Sequence, residues 1–380
     1  EKSGYSNLQQ LMEKMPATGN GTFSTRGNNQ DSTANGAASI SLRGLGADAT
    51  LVLVNGRRVA ISSFAENITT NFVDINSIPV SAIERVEVLT EGGSATYGAD
   101  GSSAVYGSDA VAGVVNIITR KNFQGLEFSG GYGAADGYDE VTGSAIWGFG
   151  DEDSNVTMIL DYWKNTNLFN SERGSLGSAN QTARGGEDFR SSRGYPGYFV
   201  VNGVPTVDPA CPADRISDPA CVYDFGPWNV LIPEAERTGF MLTAHQGIGG
   251  GMEVFGELQV QHNNSFAQGA PTPLDESAEL TVPVTHPNNP FPGATTLEIG
   301  RYRTVDAGGR QWDIETDNVR GLVGLRGEIA DWRWEVAAQR ARSKSEQSGD
   351  RSMGWVRTDF LQQQIDAGLY NPFGGVQNPQ

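Results

Sequence analysis

The sequence predicts an α+β domain over residues 1–121, followed over residues 122–380 by antiparallel strands of a β-barrel. Three observations predict this fold class. A helical pattern and several short apolar runs lie before Lys121, strict alternation of apolar and polar residues begins after Gln124, and short turns then alternate with long loops. A period of two is typical of strands whose two faces meet different surroundings.

The composition agrees with such strands. The 380 residues include 49 glycines and 38% hydrophobic residues, and the formal charge is -18. The longest apolar runs are far shorter than the roughly 18 to 20 residues of a membrane-spanning helix. In a transmembrane barrel, by contrast, only every second strand residue meets lipid. The acidic balance argues against nucleic-acid binding, which needs a basic surface.

The chain begins with a helical pattern. Leu8, Leu11, Met12 and Met15 stand three or four residues apart, which predicts an amphipathic helix that ends at Pro16 and packs on a small sheet. Residues 17–38 are rich in Gly, Asn, Thr and Ser and predict a loop.

Four strands are predicted in the rest of this domain. The stretches ISLRGLG and TLVLVNGRRV predict two strands joined by GADA, with a tight hairpin turn at Asn55 and Gly56. After Pro79, VSAIERV predicts a short helical turn. VEVLT and VVNIITR then predict two more strands, which makes the domain α+β.

Alternation of period two predicts the strands that follow. In the clearest example, Met252, Val254, Leu258 and Val260 oppose a polar set on the other face. That polar set consists of Glu253, Glu257, Gln259 and Gln261. Charge on one face only is the pattern of a strand with a lipid side and a lumen side.

Connection lengths orient these strands. Residues 150–155, 248–251 and 329–331 are short turns, whereas 166–236 and 265–311 are long loops rich in Pro, Gly, Asn and Asp. Bacterial barrels keep short turns periplasmic and long loops outside. The order predicts about seven spanning strands by Ser345, an external hairpin arm at 295–305 and a helical segment at 360–367.

Four stretches carry a family resemblance: LRGLG, LVLVNGRRV, IPVSAIERVEVL and AVAGVVNIITRK. In this order they resemble the plug domain of TonB-dependent outer-membrane receptors. The resemblance implies an α+β plug over residues 1–121 inside a barrel of about 22 strands. Only the N-terminal part of that barrel, about seven strands, falls within residues 122–380. We therefore expect the chain to be a fragment that begins inside the plug.

The resemblance also implies a function. Such receptors reside in the outer membrane of Gram-negative bacteria and take up a scarce nutrient such as an iron chelate, cobalamin or an oligosaccharide. The expected partners are outer-membrane lipid, the small-molecule nutrient or chelate, and the periplasmic TonB protein. TonB would bind through a segment that this sequence does not include. No cofactor and no nucleic-acid partner is expected.

Several charged residues match motifs of the resembled plug. Arg43 matches the arginine of the LRG motif, and Glu84, Arg85 and Glu87 match the IERVEV motif. The resemblance implies that these residues form ion pairs between plug and barrel. Charge pairs suit a wet interface that must be separated under force, because water can replace them. Local pairing within the plug is the alternative.

A tandem repeat interrupts the resembled pattern. GGSATYGAD at residues 92–100 is followed directly by GSSAVYGSD at residues 101–109, whereas the family carries one copy. Since loop-closure entropy grows slowly with length, we expect one copy to bulge out as a tolerated surface loop. A new ligand contact or a changed gate is the alternative.

Ligand contacts are expected on loops that face outward from the plug. The candidates are Arg26, Asn28, Asn29 and Gln30 in a first loop and Asn67, Thr69 and Asn71 in a second. Their amide, hydroxyl and guanidinium groups suit sugar or chelate oxygens. Loop aromatics can stack on sugar faces; the candidates are Tyr195, Tyr198, Phe199, Trp228 and Phe291. Ordinary loop polarity would give the same polar set.

Little in the sequence indicates catalysis. Cys211 and Cys221 lie close together in a loop and predict a disulfide, with two free thiols as the alternative. The three histidines lack the spacing of a metal site, and no nucleophile stands beside a base. We predict no catalytic residue, no metal site and no enzymatic activity. An outer-membrane or secreted β-rich adhesin without transport is the alternative function, and a secreted enzyme is a third.

Overall fold

A computed structural model describes residues 5–19, 22, 34, 36–66, 69–90, 111–349, 353–375 and 378. The chain divides into two compact units. The first unit comprises Glu1–Asn167, Ile232–Phe266 and Ile314–Gln347, and the second comprises Leu168–Leu231, Ala267–Asp313 and Ser348–Gln380.

The secondary structure of the described residues is mainly β. Two α-helices are present, α1 at Leu8–Glu13 and α2 at Thr358–Asp366. The strands are β1 Thr50–Val54, β2 Arg57–Arg58, β3 Ile83–Leu89, β4 Gly113–Thr119, β5 Gly125–Ala135, β6 Tyr138–Gly150, β7 Ser154–Asn165, β8 Leu168–Phe169, β9 Tyr198–Val201, β10 Val204–Val207, β11 Ile216–Ser217, β12 Ala220–Cys221, β13 Val230–Ile232, β14 Ala235–Gly249, β15 Met252–Gly269, β16 Pro273–Leu274, β17 Leu297–Arg303, β18 Arg310–Ile329 and β19 Trp332–Gly349. Short 3-10 turns lie at Ile75–Ser77, Val80–Ala82, Asn170–Leu176, Thr182–Arg184, Ala213–Arg215, Gly226–Trp228, Glu276–Ala278 and Val305–Ala307.

Helix α1 forms where the sequence predicts an amphipathic helix. Asn7 caps it, because its side-chain oxygen accepts a hydrogen bond of 2.9 Å from the backbone N–H of Gln10. Leu8 and Met12 are buried, and they share one hydrophobic cluster with residues of the small sheet such as Val52. The predicted packing of the helix on a small sheet is therefore confirmed.

That sheet has four strands in the order β2-β1-β4-β3. Strand β1 runs parallel to β4 and antiparallel to β2, and β3 runs antiparallel to β4. The turn between β1 and β2 has positive φ at both Asn55 (53°) and Gly56 (76°), the conformation that an Asn-Gly pair favours in a tight hairpin. The predicted hairpin turn is confirmed.

One predicted strand is wrong. Residues 39–42 are buried, but the only ladder contact described there is an isolated bridge between Thr18 and Leu42. The N–H group of Leu42 donates to the Thr50 side chain at 3.0 Å, and the carbonyl of Ser41 accepts from the backbone N–H of Gly19 at 2.9 Å. A side chain and a loop therefore satisfy this backbone instead of a neighbouring strand. The helical turn predicted at VSAIERV is also shorter than expected, because β3 begins at Ile83.

Seven long strands form a second, antiparallel sheet in the order β19-β18-β15-β14-β7-β6-β5. The register is nearly regular; for example, Leu242 of β14 lies opposite Leu258 of β15 and Met158 of β7. The connections β6–β7, β14–β15 and β18–β19 are short, whereas those after β7 and β15 are long. The predicted seven strands and their order are confirmed.

The two faces of this sheet have opposite polarity. Along β15, Glu257, Gln259 and Gln261 are buried, while Leu258 and Val260 between them are exposed. The exposed side of the sheet carries large apolar residues: Leu126, Phe128, Tyr132, Val141, Trp147, Phe149, Leu160, Met252, Val254, Leu258, Val260, Val319, Val323, Trp332 and Val336. A soluble sheet does the reverse and buries its apolar face.

The second unit has its own core. Its largest sheet has four strands in the order β10-β9-β17-β16, and two small ladders join β11 to β12 and β13 to β8. Helix α2 buries Leu361 and Ile365 in the same hydrophobic cluster as Phe199 of β9 and Tyr302 of β17. The helical segment predicted at 360–367 is confirmed, but the predicted hairpin arm at 295–305 is wrong. Strand β17 lies between β9 and β16.

Candidate functional site

The buried face of the seven-stranded sheet contacts the N-terminal domain through polar groups. Gln259 donates a side-chain hydrogen bond of 2.7 Å to the carbonyl of Ser77, and Asn263 donates one of 3.3 Å to the carbonyl of Asn76. Gly239 of β14 lies beside Pro79, because a Cβ added at Gly239 would lie 2.8 Å from Pro79 Cγ. The segment 76–79 therefore lies directly on the sheet.

Glu257, Arg320, Asn55 and Lys121, here called the Glu257 cluster, form a buried polar contact of this interface. Glu257 pairs with Arg320 of β18 at 2.8 Å, and both side chains are 5% exposed. Asn55 of the β1–β2 turn donates to the same carboxyl group at 3.0 Å, and Lys121 Nζ lies 3.8 Å from it. Two residues of the N-terminal domain thus meet an ion pair of the sheet.

The turn geometry aims Asn55 at the sheet. Its backbone lies in the left-handed region at φ 53°, which Asn tolerates better than most residues. Its side-chain oxygen accepts from the backbone N–H of Thr119 at 3.0 Å, and its amide nitrogen donates to the Thr119 hydroxyl at 2.8 Å. Strand β4 therefore holds the side chain in place while the same amide nitrogen reaches Glu257.

A second cluster, here called the Arg237 cluster, comprises Arg237, Trp163, Asp74 and Asp161. Arg237 of β14 is buried, and its guanidinium lies 4.4 Å from the ring centroid of Trp163 on β7. It interacts electrostatically with Asp74 of the N-terminal domain and with Asp161 of β7. Asp161 also accepts a hydrogen bond of 3.3 Å from the backbone N–H of Ser81.

Asp74 links this cluster to the interior of the N-terminal domain. One carboxylate oxygen accepts the backbone N–H groups of Ala38 and Asn76, each at 3.0 Å. Burial raises the pKa of the Asp74 carboxyl above its usual 3.8, although these N–H groups and the charge of Arg237 act in the opposite direction. A carboxyl group with these contacts fixes the loop before the 3-10 turn at Ile75–Ser77.

Both clusters are bonded through polar groups that water can also satisfy. A buried ion pair contributes little net stability against a hydrophobic alternative, yet loss of one partner leaves a costly uncompensated charge. An apolar patch accompanies the two clusters, in which Ala82 packs with Ile146, Ile159 and Met241 of the sheet. The polar clusters fix the register of the N-terminal domain on the sheet, and the apolar patch adds buried area.

The structure places the predicted plug–barrel residues elsewhere. Arg43 is exposed, with φ 54°, and its guanidinium lies 3.4 Å from the carbonyl of Val111. Arg85 pairs with Glu84 at 2.8 Å and with Glu87 at 2.9 Å along β3, where Glu84 and Arg85 are exposed and Glu87 is half-buried. The contacts described for these residues lie within the N-terminal domain, as the alternative of local pairing expects. Ion pairing of the four residues between plug and barrel stays a prediction.

Most of the predicted ligand residues lie outside the described residues. These are Arg26, Asn28, Asn29, Gln30 and Asn67, and the tandem repeat 92–109 lies outside them as well. Thr69 and Asn71 are exposed, next to a short turn in which the backbone N–H of Thr70 donates to the carbonyl of Glu66 at 2.9 Å. Whether these residues bind a ligand stays a prediction.

The aromatic residues of the long loops have a different role from the predicted one. Tyr198, Phe199 and Phe291 are buried, and the ring of Phe199 lies 5.6 Å from that of Phe291 and 4.8 Å from that of Phe373. Three of the five predicted stacking residues therefore belong to the core of the second unit. Tyr195 and Trp228 are half-buried.

Cys211 and Cys221 form a disulfide that spans the short β11–β12 ladder, with Cα atoms 5.9 Å apart. Among the described residues, no group of three or more His, Cys, Asp and Glu side chains is arranged to hold a metal ion. The same part of the chain contains no helix long and apolar enough to cross a membrane.

Sequence reasoning missed the residues that form the interface. Four of them are charged residues on the inward face of strands: Glu257, Arg237, Arg320 and Asp161. A charge at an inward-facing strand position was the sequence signal that could have identified them. Their partners Asn55 and Asp74 come from the N-terminal domain. No spacing in the sequence pairs position 55 with position 257.

Comparison with known proteins identifies the N-terminal domain. Residues 1–114 match the family model described as TonB-dependent Receptor Plug Domain. BauA, the ferric preacinetobactin receptor from Acinetobacter baumannii, is 14% identical with a TM-score of 0.43, and the match covers 90% of this chain and 46% of that one.

Two further solved structures are similar. The siderophore receptor PiuA from Acinetobacter baumannii is 13% identical with a TM-score of 0.38, and the match covers 93% of this chain and 48% of PiuA. A mutant of the ferric enterobactin receptor PfeA from Pseudomonas aeruginosa, in complex with enterobactin, is 15% identical with a TM-score of 0.37, and the match covers 92% of this chain and 48% of PfeA. The chain thus spans about half the length of these structures. It carries the plug domain of the TonB-dependent receptors, followed by consecutive antiparallel strands, as the sequence resemblance implies.

Proposed function

We propose that the chain is part of a TonB-dependent receptor of a Gram-negative outer membrane that takes up a scarce nutrient in an energised step. The observation that carries this proposal is the polarity of the seven-stranded sheet. Its exposed face is apolar, whereas its buried face, which contacts the plug domain, carries most of its charged and amide side chains beside one apolar patch at Ile146, Ile159 and Met241. Lipid outside and a wet, filled lumen inside favour this inverted arrangement.

The polar interface suits a plug that must move. The Glu257 and Arg237 clusters tie the plug to β14, β15 and β18 by charges and hydrogen bonds. Water can replace these contacts when the periplasmic TonB protein pulls on the plug, whereas an apolar interface would resist wetting. The protein acts in this proposal as a transport receptor and not as an enzyme.

The cargo classes are an iron chelate, cobalamin or an oligosaccharide. We place the first contacts with the cargo on the outward loops of the plug, at Arg26, Asn28, Asn29, Gln30, Asn67, Thr69 and Asn71. Arg43, Glu84, Arg85 and Glu87 are proposed to take part in plug–barrel pairing when the plug is remodelled. The acidic charge of -18 fits neither a nucleic-acid partner nor nucleic-acid cargo.

Uptake measurements test the proposal. The protein that carries this sequence is expressed in the outer membrane, and binding and uptake of labelled chelates, cobalamin and oligosaccharides are measured with and without a proton gradient. Cells that lack TonB provide the matched control. We expect ligand binding in all cells and uptake only with both the gradient and TonB. Equal uptake without the gradient would contradict energised transport, and binding without any uptake would favour the adhesin alternative.

A further inference from the structure

A groove lies between the plug and the inward face of β5, β6 and β7. Val80 and Ser81 of the plug line one side, and Ser129, Thr142 and Ser144 are among the residues on the other. The groove has a volume of about 340 Å³ and is open to solvent. That volume is large enough for a small organic ligand.

The wall of this groove is built from small residues. Gly133 lies on the inward face of β5 opposite Glu140, and a Cβ added at Gly133 would meet no atom within 4 Å. Ser129 lies opposite Ser144, which in turn lies opposite Asp161 of β7. Short side chains leave this part of the lumen wall unfilled, and hydroxyl groups cover much of it.

The charged groups of the groove are acidic. Glu140 and Asp161 line it, and in the described part of the chain no Lys, Arg or His does. Arg237 lies beside Trp163 and interacts with Glu140, Asp161 and Asp74, so three carboxyl groups face one guanidinium. The resulting potential repels anions and admits neutral or cationic solutes.

Hydroxyl groups give the groove hydrogen-bond donors beside its carboxyl groups. Ser129, Thr142 and Ser144 line it together with Glu140 and Asp161. A hydroxyl group can donate and accept, whereas an ionised carboxylate only accepts. The groove therefore offers both kinds of hydrogen-bond partner to a solute.

From these observations we infer that the groove is a binding site for an uncharged, hydroxyl-rich solute, a sugar or polyol. A solute hydroxyl group can donate to the carboxylates of Glu140 and Asp161 and accept from the hydroxyl groups of Ser129, Thr142 or Ser144, whereas a carboxylate cannot donate and a plain ammonium group cannot accept. This inference rests on the proposed function, and it names the class of cargo that passes between the plug and β5–β7. An anionic chelate is disfavoured on this path.

Thiol labelling of the protein in outer-membrane vesicles tests the groove. Ser144→Cys places a thiol in it, and Ala145→Cys places one on the opposite face, between the exposed residues Phe128 and Leu160. The native cysteines are bonded to each other. The reagents are the neutral 2-hydroxyethyl and the anionic 2-sulfonatoethyl methanethiosulfonates, with rates expressed relative to a free thiol.

We expect the neutral reagent to modify Ser144→Cys about tenfold faster than the anionic one, and neither to modify Ala145→Cys. Glu140→Gln combined with Asp161→Asn should remove that difference. Maltotriose, cellotriose or sorbitol should slow the modification in a saturable way, while citrate at equal ionic strength should not.

Three results would overturn the inference: no modification of Ser144→Cys by the neutral reagent, equal protection by citrate, or no protection by any of the three hydroxyl-rich solutes. Ser129→Cys, opposite Ser144, provides an independent reading if one variant fails to fold. The labelling needs neither TonB nor a proton gradient. A labelling result that contradicts sugar binding in the groove therefore leaves energised transport untouched, because the uptake measurements test transport separately.

Discussion

Glu257 of β15 and Arg320 of β18 form an ion pair of 2.8 Å in which each side chain is 5% exposed. The Asn55 side chain of the plug donates to the same carboxyl group at 3.0 Å. The pair thus satisfies two requirements: it joins two neighbouring strands and provides an acceptor for the plug. A charge in such a position is costly when its partner is removed.

Glu257→Gln tests that cost. The substitution leaves the Arg320 guanidinium buried without its counter-charge, so we expect the free energy of unfolding to fall by about 3 to 5 kcal/mol. The matched control is Glu335→Gln, which removes the exposed pair between Arg57 and Glu335, and it should cost less than about 1 kcal/mol. Denaturant unfolding of the purified protein in detergent measures both. If both variants lost the same free energy of unfolding, burial of the Glu257–Arg320 pair would not affect stability.

Asn55 is expected to contribute through its side chain and not only through its backbone. Asn55→Gly keeps the positive φ accessible but removes the hydrogen bonds to Glu257 and Thr119, so it should destabilise the protein by about 1 to 3 kcal/mol. Asn55→Asp keeps an acceptor for Thr119 but places a negative charge against Glu257, and it should be the worse of the two. Denaturant unfolding of both variants measures these losses. An Asn55→Asp variant as stable as the wild type would contradict the contact between Asn55 and Glu257.

Gly239 is expected to be required for the close approach of the plug. A methyl group there would lie 2.4 Å from Gln261 Oε1 and 2.8 Å from Pro79 Cγ, so Gly239→Ala must displace both the Gln261 side chain and the plug segment and should cost about 1 to 3 kcal/mol. Gly321→Ala is the control, because its added Cβ would meet nothing within 4 Å. Protease sensitivity of the plug should rise in the first variant and not in the second. Similar sensitivity would show that Pro79 does not rest on Gly239.

Two aspartates should affect stability with opposite pH dependence. Burial raises the pKa of the Asp74 carboxyl in the folded protein above the usual 3.8 of an unfolded chain. At pH values between 3.8 and this raised pKa, the folded state binds the proton more tightly than the unfolded chain does. Its contribution to the free energy of unfolding therefore falls as pH rises through that range. Asp74→Asn should remove this fall, and its Oδ1 can still accept the N–H groups of Ala38 and Asn76.

Asp275 provides the control with the reverse sign. Hydrogen bonds from Ser277, together with Arg193, lower its pKa to about 2. Its contribution is present above pH 3.8 and is lost as pH falls towards 2. Unfolding of wild type, Asp74→Asn and Asp275→Asn over about pH 3 to pH 7 measures both effects. The same sign of pH dependence for the two aspartates would contradict the burial of Asp74.

Short-range sequence patterns predicted the strands and turns that depend on neighbouring residues. The period of two predicted the seven strands, and the Asn55-Gly56 pair predicted the hairpin, because register and turn type are set by neighbouring residues. Residues 39–42 show the same apolar alternation as a strand. They form none because their backbone groups bond to the Thr50 side chain and to the loop at residues 17–19.

Contacts between distant residues were not predictable in this way. Strand β17 pairs with β9, which lies about a hundred residues earlier in a stretch rich in Gly and Pro, so nothing local marks the two as partners. Residues such as Phe199 therefore look like exposed loop aromatics in the sequence and are core residues in the structure. The Asn55–Glu257 contact was hidden for the same reason.

Lipid contact along β15 tests directly whether one face of the seven-stranded sheet meets lipid while the other meets the plug. Single cysteines at Leu258, Gln259, Val260 and Gln261 are labelled with a fluorophore, and quenching by brominated lipid is measured in vesicles. We expect strong quenching at the exposed positions Leu258 and Val260 and weak quenching at the buried positions Gln259 and Gln261. Equal quenching at all four positions, or the inverse alternation, would contradict a sheet with lipid on one face and a plug on the other.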